Sequence, residues 1–400
     1  MEFKKALTAC IFLIILPFMT GCDPDSKSEP WSVRMAESEM IRFPESWMLD
    51  FSSRPRWAYC QGLVCKAMLD LWEYTGERTY FDYALSYADT MITEDGVIRT
   101  YDASSYNIDN INAGKILYTL YRETGEEKYK KAIDTLRGQM RTHPRTSEGG
   151  FWHKLRYPHQ MWLDGIYMGS PFLAQYALEF NEPALFDDVV NQIRTMAAHS
   201  YDPATGLFYH GWDESREQQW ANKETGQSPN FWGRSLGWFA MALVDVLNYL
   251  PEDHQGRSEV LDVIDLVAKG IAKYQDEESG VWYQVIDQGG REGNYLEATA
   301  SCMFVYFLYK AVRKGYIDES FLSVADKGYE GILKNFIRED PDGTISLTSC
   351  CSVAGLGGSP RYRDGSFEYY ISEPVRDNDP KGTGPFIMAS IEREKLKSGS

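Results

Sequence analysis

At 400 residues the chain is long enough for one large domain or two ordinary ones, so length alone leaves the architecture open. Its 43% hydrophobic and 14% aromatic content supplies material for a packed core and excludes a disordered chain. A formal net charge of −17, with no basic patch large enough to offset it, excludes a nucleic-acid partner, and any anionic ligand would have to be met by local arginines or backbone dipoles.

Residues 1–21 are expected to be a secretory signal. Lys4 and Lys5 give a positive start, an apolar stretch follows, and small residues precede Cys22. The MTGC ending resembles a bacterial lipoprotein cleavage site, with Cys22 as the lipidated first residue of the mature chain. An uncleaved anchor is the alternative. Either way the protein is expected to be exported and membrane-anchored, in the periplasm or at the cell surface; Asp23 and Asp25 do not decide which membrane face. Residues 22–34 read as a polar tether and 35–395 as the folded domain. Cys60, Cys65, Cys302, Cys350 and Cys351 remain, an odd number without zinc-ligand spacing to histidines. Buried free thiols are expected rather than a disulfide framework.

Five short segments then share one form, an acidic or glycine turn followed by an extended aromatic or β-branched stretch. They are EDGVIRTYD near Gly96, EGGFWHKL near Gly150, TGLFYHGWD near Gly206, SGVWYQVID near Gly280 and DGTISLTSC near Gly343. Each leads into paired helical patterns. The breaks YTGERTYFDYA and ETGEEKYKKAI are the clearest echo. The stretches RWAYCQGLVCKAMLDLW, KILYTLY, PFLAQYALEF, GWFAMALVDVLNYL, CMFVYFLYKAV and PFIMASIERE are apolar on most faces and read as buried helices. Partner helices such as EEKYKKAIDTLRGQM are amphipathic. Six buried helices, each with an outer partner, predict an all-α (α/α)6 barrel; a generic helical solenoid is the alternative.

Polar residues gather at the starts of the buried helices. Trp57 and Tyr59 open the first, Asp109 and Asn110 the second. Asp164 precedes Ser170-Pro171, read as an N-cap and first helical position. Asn230, Trp232 and Arg234 open the next, then Glu297 and Thr299. In a barrel these starts share one rim, and their free N–H groups favour a carboxylate-bearing ligand. Asp164, set among Met161, Trp162, Leu163, Ile166, Tyr167 and Met168, is expected to have a raised pKa and to act as a general acid. Asp109, among Asn107, Asn110 and Asn112, is expected to be ionised. The structural alternatives are a buried Asp satisfied by backbone N–H groups for Asp164 and a simple N-cap for Asp109. His210 and His153 occupy matching places in successive repeats and are candidate site residues. Trp162, Trp232 and Trp238 suit stacking on sugar faces or packing in the core. Arg234 would grip a substrate carboxylate or pair with an acidic side chain. The glycines of VAGLGGSP and DPKGTGPF lack the Lys and Ser/Thr of a phosphate loop and read as tight rim loops.

The stretches MWLDGIYMGSPFLAQYA, YNIDNINAGKILYTLY, GLFYHGWDES followed by SPNFWGRSLGWFAMALVDVL, and EATASCMFVYFLYKAVRKGYI closely resemble the unsaturated rhamnogalacturonyl hydrolases of glycoside hydrolase family 105, relatives of the family 88 unsaturated glucuronyl hydrolases. The likeness spans about residues 35 to 390, and it implies the (α/α)6 fold. It also implies hydration of the 4,5-double bond of an unsaturated uronic acid at the non-reducing end of a lyase-made, pectin-derived oligosaccharide. Asp164 would match the catalytic acid and base, Asp109 the second rim aspartate, and His210 the histidine near the ring and the water. His153, Trp162, Trp232, Arg234 and Trp238 would line the sugar site, with Tyr59 beside them. The resemblance implies no metal and no organic cofactor. A family 88-like hydrolase of glycosaminoglycan fragments, a non-catalytic sugar-binding lipoprotein, and a sugar epimerase using His153 and His210 as opposed acid and base are the competing readings. Oligomeric state is not legible.

Overall fold

The structure, a computed structural model, describes residues 29–399. The signal and Cys22 lie outside the described residues. In chain order the helices are α1 (Trp31–Arg42), α2 (Tyr59–Thr75), α3 (Arg78–Met91), α4 (Asp109–Asn112) and α5 (Lys115–Thr124). Then follow α6 (Glu127–Thr142), α7 (Leu163–Glu179), α8 (Ala184–Ser200), α9 (Gly233–Val246) and α10 (Arg257–Lys273). Last come α11 (Ala298–Arg313), α12 (Leu322–Asn335), α13 (Phe367–Ser372) and α14 (Pro380–Ser398).

Among the described residues, α2, α5 with its leader α4, α7, α9, α11 and α14 form an inner ring. Each packs on the next, and α14 returns to α2. That closure distinguishes a barrel from an open solenoid. The inner helices are buried almost all round, as their composition required; α7 and α11 bury nearly every residue. The outer helices α1, α3, α6, α8, α10 and α12 each bury one stripe. In α6 the stripe is Tyr129, Ala132, Ile133, Leu136 and Met140, at helical spacing. Close approach of the inner helices needs small residues. A side chain at Gly62 would stand 2.4 Å from the Ala113 backbone, so α2 can reach the start of the next inner helix only because nothing is there.

The sequence echo becomes a repeated helix ending. Gly76 and Gly125 both adopt left-handed backbone, φ 78° and 69°, and return their N–H groups to Trp72 and Tyr121. In each case the preceding threonine, Thr75 or Thr124, bonds back to the carbonyl four residues earlier and accepts the N–H of the residue after the glycine. The five extended segments are tight hairpin turns between an outer helix and the next inner one. Each turns on a positive-φ glycine: Gly96, Gly149, Gly206, Gly280 or Gly343.

Three expectations need correction, one of them that DPKGTGPF is a rim loop: residues 380–386 form the first turns of α14. Residues 31–34 are not tether: α1 begins at Trp31, and Ser32 is buried, donating to Glu394 of α14 at 2.8 Å. The outer helix that completes the sixth pair is thus the first in sequence. Ser170-Pro171 does not start a helix either. The chain leaves the strand Gln160–Trp162 and enters α7 at Leu163, so Pro171 lies inside it, and Pro385 lies inside α14 in the same way. An interior proline costs a backbone hydrogen bond and about 3 kcal/mol. Burial of both helices on nearly all faces outweighs that preference. Cys60, Cys65, Cys302, Cys350 and Cys351 are all buried and unpaired, as expected. No helix among the described residues is long and apolar enough to cross a membrane.

Candidate functional site

The site is one construction used twice. Strand Gln160–Trp162 pairs antiparallel with Gly211–Asp213 and runs directly into α7, whose first turn carries Asp164. His210 sits just before the partner strand, and its carbonyl accepts the Leu163 N–H at 3.0 Å. One repeat earlier the His153 carbonyl accepts the Ile108 N–H at 3.2 Å, and Ile108 precedes Asp109, the first residue of α4. Each histidine therefore clamps the backbone just ahead of one aspartate. In both units the imidazole Nε2 stands 3.3 Å from that carboxylate, His153 from Asp109 and His210 from Asp164. The matching positions of the histidines in sequence are matching positions in space.

The two pairs differ in what surrounds them. Lys154 places its Nζ 2.5 Å from the other Asp109 oxygen. Burial alone would raise the Asp109 carboxyl, but Lys154 and then His153 outweigh it and hold the group well below the usual carboxylate range. Asp109 is ionised, as expected. Among the described residues Asp164 has no lysine or arginine partner. Its Oδ2 and the facing His210 Nε2 are both buried without a hydrogen bond, while 13% of its side-chain surface stays open. On its far side His210 Nδ1 lies 2.7 Å from the Tyr370 hydroxyl. Burial pushes the His210 imidazole down, only partly offset by Asp164, and burial pushes the Tyr370 hydroxyl up. A neutral His210 that takes the Tyr370 hydrogen on Nδ1 carries its own on Nε2, facing Asp164.

A third buried imidazole, His143, is held by the Trp152 carbonyl at 2.8 Å and lies between the Tyr106 and Phe151 rings. Burial lowers it from 6.5 to about 4. Below about 6.5 the unfolded chain protonates both His143 and His210 while the folded one does not, so unfolding takes up protons. Their contribution is complete above that pH and shrinks as pH falls towards the folded values. Because the Glu39 carboxyl, raised to about 7 by burial, acts in the opposite direction over the same range, the test is the comparison: going from pH 7 to pH 5 is expected to cost the native protein more in Tm than it costs His143→Gln.

Aromatic rings wall the two pairs. Trp162 stacks on His153 with centroids 4.2 Å apart and meets His210 edge-on at 5.4 Å. Trp232 lies 4.9 Å from His210 and carries the Arg234 guanidinium over its ring at 4.7 Å. Arg234 is buried, donates from Nη1 to the Cys351 carbonyl, and leaves Nε without a partner. Among the described residues it makes no ion pair of the kind its structural alternative required. Tyr59 opens α2 at the same rim. Trp238 sits about one turn deeper in α9, between Tyr59 and Tyr167. Trp232 and Trp238 are each only 1% exposed, so neither offers an open face for stacking. They are walls behind the polar groups. Glu297 is a structural cap: it accepts from Ala300 N–H, the Thr299 hydroxyl and Cys351 N–H.

The expected residues thus converge, with Trp238 beneath the rest. The sequence reading missed Lys154 and Tyr370. Lys154 follows His153 directly, and the FWHKL segment could have flagged it. Tyr370 lies on α13, outside the repeat pattern, and only the folded chain brings it to His210. The opposed-histidine reading does not fit, because the Trp162 ring stacks on one imidazole and abuts the other, and each Nε2 faces its own carboxylate. No group of three or more His, Cys, Asp or Glu among the described residues is placed to hold a metal ion.

Comparison with known proteins gives a family and a fold. A family model described as Glycosyl Hydrolase Family 88 matches residues 31–397. A solved glycoside hydrolase from family 105 of C. acetobutylicum is 47% identical, with a TM-score of 0.88, covering 92% of this chain and 100% of that one. An unsaturated rhamnogalacturonyl hydrolase of Bacillus subtilis is 23% identical over 289 residues, 70% of this chain and 78% of its own length. The unsaturated glucuronyl hydrolase of Bacillus sp. GL1, responsible for glycosaminoglycan degradation, is 14% identical with a TM-score of 0.66, covering 92% of this chain and 95% of that one. At that identity it shares the fold alone.

Proposed function

The chain belongs to the glycoside hydrolases of families 88 and 105, and from that premise we propose that it removes a 4,5-unsaturated uronic acid from the non-reducing end of lyase-generated oligosaccharides. The observation that carries the reading is the pair of like-built His–Asp units of which only one, at Asp109, is neutralised by a lysine. Two carboxyl groups in contrasting surroundings suit divided roles.

Asp164 in its acid form gives its proton to C4 of the enol ether. Positive charge develops at C5 and the ring oxygen, and water adds at C5. The Asp164 carboxylate then takes a proton from that water, which restores the acid. The hemiketal opens to a ketone at C5, the C1 hemiacetal collapses, and the remaining oligosaccharide leaves with the hydrogen it needs. One water is consumed, and no carboxylate attacks C1, so the spacing rules of two-carboxylate glycosidases do not apply. Neutral His210, backed by Tyr370, orients Asp164 and the water. Anionic Asp109 holds sugar hydroxyls and favours the developing positive charge. Arg234 and the inner-helix N-termini receive the uronate carboxylate.

Rhamnogalacturonan fragments are the proposed substrate class, supported by the Bacillus subtilis relative's name; glycosaminoglycan fragments are the competitor. Ultraviolet absorbance of the conjugated uronate, followed on lyase-made disaccharides of both classes, tests this. Loss on the rhamnogalacturonan disaccharide alone is expected. Loss only on the glycosaminoglycan disaccharide would reverse the assignment, and loss on neither would refute the activity.

Export as a lipoprotein belongs to the same proposal. Cys22→Ser is expected to abolish incorporation of labelled palmitate and to release the protein from the membrane fraction. Labelling that persists in the variant would contradict it.

A further inference from the structure

Just outside Trp162 the rim loop flagged by its glycines, VAGLGGSP, closes over a cleft lined by Arg156, Tyr157, Arg361 and Arg363, with Glu373 as its acidic member. Three guanidinium groups against one carboxylate stand out on a chain of net charge −17. Among the described residues Arg156 and Arg363 form no ion pair. Arg156 lies over the Tyr157 ring at 4.9 Å, and Arg361 donates to the Ser372 hydroxyl at 2.7 Å. Glu373 is buried and turned towards Tyr369. Among the described residues Arg156 and Arg363 thus line the cleft without a carboxylate paired to either.

The cleft adjoins the site through stacked rings. Tyr157 stacks on Trp162 at 5.0 Å, and Trp162 stacks on His153. Gly355 has no side chain at the junction: a Cβ there would meet the Arg363 guanidinium at 2.8 Å and the Trp162 ring at 3.5 Å. The Trp162–Tyr157 stack therefore separates the arginines from Asp164. A group bound among them is therefore assigned to a neighbouring sugar and not to the one that Asp164 protonates. Guanidinium forks in this number match planar or tetrahedral oxyanions.

We propose that this cleft is a subsite for an anionic group, a carboxylate or a sulfate ester, on a sugar of the leaving portion, so that the enzyme prefers charged oligosaccharides over the minimal neutral-aglycone disaccharide. The proposal rests on the unsaturated-uronyl reading above. Neither Arg156 nor Arg363 contacts Asp164, His210, Asp109 or Arg234.

The test compares the native protein with Arg156→Ala/Arg363→Ala. Its substrates are an unsaturated rhamnogalacturonan disaccharide, the tetrasaccharide carrying one further galacturonate, the same tetrasaccharide with that carboxyl reduced to the alcohol, and a disaccharide with sulfated rhamnose. Loss of charge-assisted contacts is expected to raise KM for the charged tetrasaccharide, the sulfated disaccharide or both by about ten- to a hundredfold. The kinetics of the plain disaccharide and the reduced tetrasaccharide are expected to stay unchanged. Which charged substrate responds identifies the source of the anion. An equal rise for every substrate would overturn the proposal by placing the uronate's own carboxylate in the cleft, and no rise for any would overturn it directly. Calorimetric binding of the charged substrates to Asp164→Asn, with and without the two arginine changes, reads the cleft without turnover; equal affinities would also overturn it. If the native protein consumes no substrate at all, the activity itself fails, a result distinct from an arginine effect that is absent while turnover is present.

Discussion

Asp164→Asn is expected to fold, to bind the unsaturated oligosaccharide, and to turn it over about 10²–10⁴-fold more slowly, the usual contribution of a positioned proton donor. The substitution keeps the shape of the side chain and removes the exchangeable proton. Its structural cost is small for a reason visible in the site. Asp164 neutralises no lysine or arginine, and its Oδ2 makes no hydrogen bond. Stability should change by no more than about 1 kcal/mol. Because binding falls to other groups, the loss should appear in kcat, with KM little altered. A variant that loses binding in proportion to rate would mark Asp164 as a holder of the sugar rather than as its acid.

Asp109→Asn should behave differently although its aspartate is built into the barrel in the same way. Here the carboxylate faces Lys154 at 2.5 Å and His153 at 3.3 Å. Removing the charge leaves a mostly buried ammonium without its partner. The expected cost is about 2–4 kcal/mol, at the lower end because both side chains keep 14% exposure. Turnover should fall as well, because a site meant to hold developing positive charge loses its fixed anion. The double variant Asp109→Asn/Lys154→Met separates the two effects. Stability should return in large part while activity does not, and unfolding midpoints with kinetics on the same preparations would show it. Recovery of both together would reduce Asp109 to a structural ion pair.

Much of the barrel was legible because its repeat writes itself twice, once in hydrophobicity and once in turns. The Thr-Gly-Glu endings of α2 and α5 are the same hydrogen-bond pattern in sequence and in space. The six buried helices could be found because each is apolar on nearly every face. Helix starts were less legible. Pro171 looked like a first-turn residue and DPKGTGPF, which opens α14, like a loop, since local preference gives no measure of how much packing can override. Residues 31–34 looked like tether because the buried Ser32 finds its partner, Glu394 of α14, at the other end of the chain.

The site divided along the same line. Asp109, His153, Asp164 and His210 sit at repeat-equivalent positions, so period and residue type were enough to select them. The aromatic setting of Asp164 was also visible, through Trp162 and its neighbours. Trp232 and Trp238 show the limit of such reasoning. A tryptophan beside polar residues can present its face or hide it, and here both are hidden. Tyr370, Arg361 and Arg363 come from the long, non-repeating segment between Cys351 and α14, and Arg156 meets the two arginines only in the folded chain. No period marks them, and their partners are distant in sequence.

The most direct test of the central claim is the reaction run in deuterium oxide with NMR and ultraviolet absorbance followed together. If Asp164 delivers a solvent-derived proton to C4, the first-formed product carries one deuterium at C4 in a single configuration. Absorbance then decays at the same rate as the leaving oligosaccharide is released. Release of an unsaturated uronic acid with its double bond intact, before the absorbance falls, would mean direct attack at the glycosidic carbon and would contradict the account.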